Sequence, residues 1–115
     1  MPPRTETELV EQAIRLAQLQ GWMVTHVRPA GTAHGPRTPY QGHAGLPDLI
    51  LARDGDVLLW ELKGPRGKPT DGQTAWIHAA GLHGALYRPG DWDEIRRILT
   101  RPRLAWMRVG SEGKP

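Results

Sequence analysis

The chain has 115 residues, 38% of them hydrophobic, and no cysteine, which fits one domain with a modest core and excludes a disulfide framework and cysteine-ligated zinc. A formal charge of +3 suits a polyanionic partner, although the basic residues are dispersed and no Lys/Arg run marks a disordered basic arm. No apolar stretch reaches the length of a membrane span and no hydrophobic leader precedes the first polar residues, so the expectation is no membrane contact and a cytoplasmic location.

Thr5-Glu6-Thr7-Glu8 has the spacing of a capping box, with Thr5 as N-cap and Glu8 reaching back. Leu9, Val10, Ala13, Ile14, Leu16 and Ala17 recur at helical spacing and Gly21 supplies a stop, which predicts a helix over 6–20. Trp22 to Val27 reads as a short strand. Residues 29–47, with Pro29, Gly31, Gly35, Pro36, Pro39, Gly42, Gly45 and Pro47, carry no periodicity and read as a long loop, a length that in a small domain usually serves function. Asp48–Arg53 and Asp56–Lys63 are the clearest strands, joined by Asp54-Gly55, a two-residue hairpin signal. Gly64–Pro69 is a second loop. Thr70 and Gln73 form another capping box that opens a helix running to about His83 and stopping at Gly84. Ala85–Tyr87 is a short strand and Pro89-Gly90-Asp91 a turn, with Asp91 and Glu94 capping a last helix to Leu99. From Thr100 to Pro115 no element is evident. The order predicts a single α/β or α+β domain over 1–115, with a mixed sheet of about four strands flanked by helices. The hairpin is antiparallel, and the helix after it makes a parallel crossover to the last strand.

The hairpin has a chemical consequence. With Asp54 and Gly55 as the loop, Arg53 faces Asp56, Leu51 faces Leu58, Leu49 faces Trp60, and Asp48 faces Glu61. Directly opposed Cβ atoms lie about 4.5–5.5 Å apart and share a face of the sheet. Strand alternation puts Lys63 on that face too, one repeat of about 6.6 Å along. Two opposed carboxylates repel, so the pattern makes sense around a cation. Hard oxygen ligands suit Mg²⁺ or Mn²⁺, which commonly take one or two carboxylates together with substrate phosphate. An ammonium alongside can offset charge on a reacting phosphate. Metal, carboxylates and ammonium together suit phosphodiester hydrolysis. The plain alternative is a solvated strand end on which Asp, Glu and Lys have no shared task.

Gly45-Leu46-Pro47-Asp48, then Glu61-Leu62-Lys63, resembles the PD-(D/E)XK nuclease motif. With Gln73 and Trp76 on the next helix, the set resembles the virus-type replication-repair nuclease (VRR-NUC) family, found alone in phages and bacteria, over nearly the whole chain. The resemblance implies a restriction-endonuclease-like core in which Asp48 and Glu61 bind the metal, the Leu62 carbonyl also reaches it, and Lys63 is the catalytic lysine. It implies DNA as substrate, often branched or flapped, with stand-alone members similar to Holliday junction resolvases and pairing as homodimers. A two-fold dimer would match the two symmetric cut points of a four-way junction.

The family also places a glutamate of the first helix near the metal. Glu6 falls within the apolar stripe of Leu9, Val10, Ala13 and Ala17, whereas Glu8 falls on the polar side, which favours Glu6; its bland role is an acid at a helix start. Gln73 is either only a cap or, by the family match, a neighbour of the catalytic lysine. Trp76 reads as packing. Arg66 and Lys68 in the loop after Lys63, and Arg37 and His43 in the long loop, are candidates for DNA contacts; His26 is a weaker one. No base-reading motif is present, so recognition of backbone shape is expected. Against a structure-selective endonuclease stand a nuclease-fold module that binds without cutting, and a nuclease for flaps or linear duplex.

Overall fold

The structure is a computed structural model that describes residues 1–27 and 41–103. The predicted Arg37 contact and most of the 29–47 loop, like the tail beyond Arg103, lie outside the described residues.

Helix α1 (Glu6–Leu19) begins at Thr5, whose hydroxyl accepts from Glu8 N–H. Glu8 does reach back, but to Arg4 N–H at 2.8 Å rather than to Thr5, so the predicted box closes one residue further out. Leu9, Ala13 and Ala17, spaced by four, are fully buried. Strands β1 (Met23–His26), β2 (Leu49–Arg53), β3 (Asp56–Leu62) and β4 (Gly84–Tyr87) form one sheet in the order β1-β2-β3-β4. The first two pairings are antiparallel and β3–β4 is parallel. The protein therefore has an α+β fold built on an open mixed sheet with flanking helices.

The β2–β3 turn follows from its two residues. Asp54 and Gly55 both have positive φ, 51° and 87°, the handedness a two-residue hairpin needs and Asp-Gly tolerates best. The turn fixes the register: Arg53 pairs with Asp56, Leu51 with Leu58 and Leu49 with Trp60. One face of this hairpin buries Leu49, Leu51, Leu58, Trp60 and Leu62 in a core shared with α1 and with Ile95 and Leu99 of α3 (Trp92–Leu99). Each such side chain contributes about 1.5–3 kcal/mol by leaving water.

Helix α2 (Asp71–Ala80) has the full capping box, Thr70 with Gln73, and packs on β3 and β4. It ends earlier than expected. Gly81, at φ +59°, turns the chain into a 3-10 segment over Gly81–His83 before β4, so the stop is Gly81 and not Gly84. The last helix differs similarly. Pro89–Asp91 is a 3-10 turn, and the Asp91 carboxylate accepts from Arg88 N–H at 2.8 Å instead of capping α3. Glu94 pairs with Arg97.

At the closed end of the hairpin, Arg53 is 6% exposed. Its guanidinium stacks over the Trp22 ring at 4.7 Å and donates to the carbonyls of Gln20 and Arg101 at 2.9 and 2.8 Å. Arg103 holds Asp54 through two bonds, and Arg101 pairs with Asp56. Residues 101–103, expected to belong to a featureless tail, thus strap the C-terminal side of α3 onto the turn.

Candidate active site at the open end of the hairpin

The opposite end of the same hairpin carries the acids. Continuing the register one pair beyond Leu49–Trp60 brings Asp48 to Glu61, and their bonds interlock. Asp48 N–H donates to Glu61 Oε1 at 3.2 Å, and Leu62 N–H donates to Asp48 Oδ2 at 3.1 Å. Each carboxylate therefore spends one oxygen on the facing strand's backbone and keeps a second. Lys63 stands beside them as alternation predicts, its ammonium 3.2 Å from Glu61 Oε2.

Asp48 is held from behind. Pro47 is fully buried. Gly45 has φ +92°, and a Cβ there would overlap the Gly72 backbone and sit 2.6 Å from Gln73 N. Only glycine lets the loop lie against the start of α2, and Trp76 Nε1 donates to the His43 carbonyl at 3.3 Å to close the contact. The Gly-Leu-Pro-Asp sequence thus works as a wedge that presents Asp48 to Glu61.

The electrostatics concentrate on Glu61. It is fully buried, and Oε2, though near the ammonium, accepts no well-aligned hydrogen bond. Burial first, then the Asp48 charge, push its pKa from the ordinary 4.5 up to about 7, with Lys63 pulling the other way. A carboxylate kept from water and facing another, with one ammonium 3.2 Å away, is in surroundings that a further cation would relieve.

The other expected site residues divide. Glu6 is exposed rather than inward, yet its Oε1 accepts from Gly64 N–H at 3.2 Å, next to Lys63. Glu8 is committed to the α1 cap. Gln73 Oε1 accepts from Thr70 N–H at 2.9 Å, so its carbonyl oxygen serves the cap and only its amide NH₂ remains to turn to a ligand. Arg66, Lys68 and His43 are exposed, and His26, half-buried, ends β1 opposite Leu49. Among the described residues no three His, Asp or Glu side chains converge as a ready-made metal cage.

Sequence reasoning overlooked Arg88. Leu62 pairs with Tyr87 and Lys63 N–H donates to the Tyr87 carbonyl at 3.0 Å, so Arg88 follows directly beside Lys63. Its Nη1 donates to the carbonyls of Gly64 and Gly67 at 2.8 and 2.6 Å. A signal existed, since the residue before a proline is driven to extended backbone, but the register of a parallel crossover is not set by a turn that can be counted.

No family model, curated protein or solved structure matches this chain.

Proposed function

We propose that this chain is a metal-dependent nuclease of the VRR-NUC type, with a restriction-endonuclease-like core, that hydrolyses phosphodiester bonds in DNA. The observation that carries the reading is the Asp48–Glu61 pair, opposed across one hairpin, with the buried Glu61 Oε2 short of a hydrogen bond beside the Lys63 ammonium. The acid pair, with a single ammonium against it, fits a hard divalent ion, Mg²⁺ or Mn²⁺, held by Asp48 and Glu61 with the Leu62 carbonyl as the further ligand the resemblance implies. Such an ion supplies Lewis-acid polarisation of the phosphate and compensation of its charge.

The chain's own groups do the rest. The backbone N–H groups of Asp48 and Leu62 fix each carboxylate's orientation, so little reorganisation is needed when a ligand arrives. Lys63 presents an ammonium to the anionic phosphate from the same face. Glu6 anchors the loop that follows Lys63, and Gln73 offers its amide NH₂ from the start of α2. Arg66 and Lys68, with Arg37 and His43, attract the DNA backbone, so binding weakens as salt rises. The preferred substrate is branched DNA such as a Holliday junction, cut by a homodimer in the cytoplasm of a bacterial or phage-infected cell. Among the described residues no helix is long and apolar enough to cross a membrane.

The test is incubation with linear, flap and four-way DNA in Mg²⁺, Mn²⁺ or EDTA. Cutting of the branched forms, abolished by EDTA and by Asp48→Ala, Glu61→Ala or Lys63→Ala with DNA binding retained, is the expected result. Binding without cutting of any substrate by the wild-type chain would reject the enzyme in favour of a binding module. Full activity of Asp48→Ala or Glu61→Ala would reject the site.

A further inference from the structure

Lysine is a poor choice for a fixed cation. Its stem has four rotatable bonds, and holding them in one geometry costs rotamer entropy. Yet the Lys63 side chain is 17% exposed and rests against Glu61. The Gly64–Gly67 turn confines it. Gly67 lies alongside the stem, so close that a Cβ on it would be 3.3 Å from Lys63 Cδ and 3.5 Å from Lys63 Cβ. The turn's own closure is a single long bond, Gly67 N–H to Gly64 C=O at 3.3 Å. The guanidinium of Arg88 closes it more firmly, with one nitrogen bonded to both carbonyls. Arg88 forms no ion pair among the described residues; its charge is spent on two backbone oxygens, bonds stronger than those of a neutral donor. Arg88 is held in turn by the Asp91 carboxylate at its own N–H and by the buried Pro89 that follows. On the other side of the loop, Glu6 takes the Gly64 N–H.

We propose that Arg88 is a positioning residue for Lys63: by clamping the Gly64 and Gly67 carbonyls it keeps the turn folded against the lysine stem and the ammonium on the acid pair. The catalytic part of this inference rests on the nuclease reading; the conformational part does not.

The experiment compares wild type, Arg88→Ala, Arg88→Lys and Gly67→Ala. Two readouts are used: cleavage of four-way DNA in Mg²⁺, and backbone amide exchange at Gly64 and Gly67 followed by NMR without DNA. A displaced catalytic group can cost about 100-fold in rate, so Arg88→Ala should lose kcat on that scale while its affinity for the same DNA in EDTA stays at the wild-type level. Exchange at Gly67 should speed up. Arg88→Lys should not rescue, because a single ammonium lacks the planar fork; added guanidinium at sub-denaturing concentration should partly restore Arg88→Ala. Gly67→Ala, which leaves the clamp and crowds the stem, should lower kcat without loosening Gly64. Wild-type kcat in Arg88→Ala, or lost activity with unchanged exchange, overturns the proposal. Should the wild-type protein cut no DNA, the nuclease reading fails by itself. The clamp is then judged by exchange alone, and unprotected Gly67 in the wild type, or unchanged exchange in Arg88→Ala, would overturn it.

Discussion

Replacing Glu61 by glutamine should make the metal-free protein relatively more stable the more alkaline the solution. At about 1.4 kcal/mol per pH unit, the rise in the Glu61 pKa from 4.5 to about 7 amounts to about 3 kcal/mol. The sign follows from the proton balance. Between the two values the folded state holds a proton that the unfolded state releases, so wild-type stability falls as pH rises from about 4.5 through about 7, and levels off above. The Glu61→Gln variant has no such titration. The difference in unfolding free energy between variant and wild type therefore moves toward the variant by about 3 kcal/mol across that window. Groups remote from Glu61 contribute equally to both proteins and cancel. So does any fixed cost of turning an amide toward Lys63, which sets the offset of the curve and not its slope. Urea unfolding at half-unit steps from pH 4 to 8, in EDTA, reads the difference directly. A flat difference, or one that favours wild type at alkaline pH, would refute the claim that burial and the facing Asp48 destabilise the Glu61 charge.

A divalent ion should offset most of this loss. At about 100 times its dissociation constant Mg²⁺ or Mn²⁺ should add about 2.7 kcal/mol, seen as a raised Tm at pH 8, and Asp48→Asn should abolish the gain; an equal gain in that variant would place the ion elsewhere. Gly45→Ala combines a left-handed backbone with overlap on the Gly72 backbone, and a loss of about 3 kcal/mol is expected, measured by urea denaturation; a neutral result would mean that the loop does not pack on α2. Arg53→Ala strips two part-buried carbonyls of their donor and should cost about 2 kcal/mol by the same assay, with Mg²⁺-dependent cleavage by the remaining folded protein unchanged. A selective loss of cleavage there would tie the far end of the hairpin to the chemistry.

What could be read in advance was what short stretches of chain decide for themselves. Asp54-Gly55 fixes a two-residue turn, the turn fixes the register, and the register opposes Asp48 to Glu61 before any tertiary contact is considered. Thr70 and Gln73 cap α2 for equally local reasons, although the same bond commits the Gln73 oxygen that the family resemblance would give to the site. Where two local signals compete, sequence alone does not choose between them: Gly81 and Gly84 both look like helix stops, and packing of α2 on β4 selects the first. Asp91 had the spacing of an N-cap, yet Arg88 N–H is nearer to hand. Glu6 sat on the right side of the helical wheel, but α1 starts beyond the core's edge, so the carboxylate meets Gly64 instead of being enclosed. Arg53 and Arg88 were invisible as anything but surface charge, because their acceptors are carbonyls far away in sequence, and a carbonyl leaves no mark in a residue's identity.

The two halves of the site differ in how far apart they are along the chain. Asp48 and Glu61 are 13 residues apart and joined by a tight turn, while the clamp on Lys63 spans 24 and 21 residues and waits for α2 and β4. Short loops close before long ones. During folding the like charges consequently meet while the groups that restrain the neutralising ammonium are still unassembled, and the nascent hairpin carries its greatest repulsion early. Refolding should therefore run faster at about pH 4, below the ordinary carboxyl value, where Glu61 is protonated before the hairpin forms, than at pH 8, and stopped-flow traces of wild type beside Glu61→Gln would show whether that penalty falls on the folding limb.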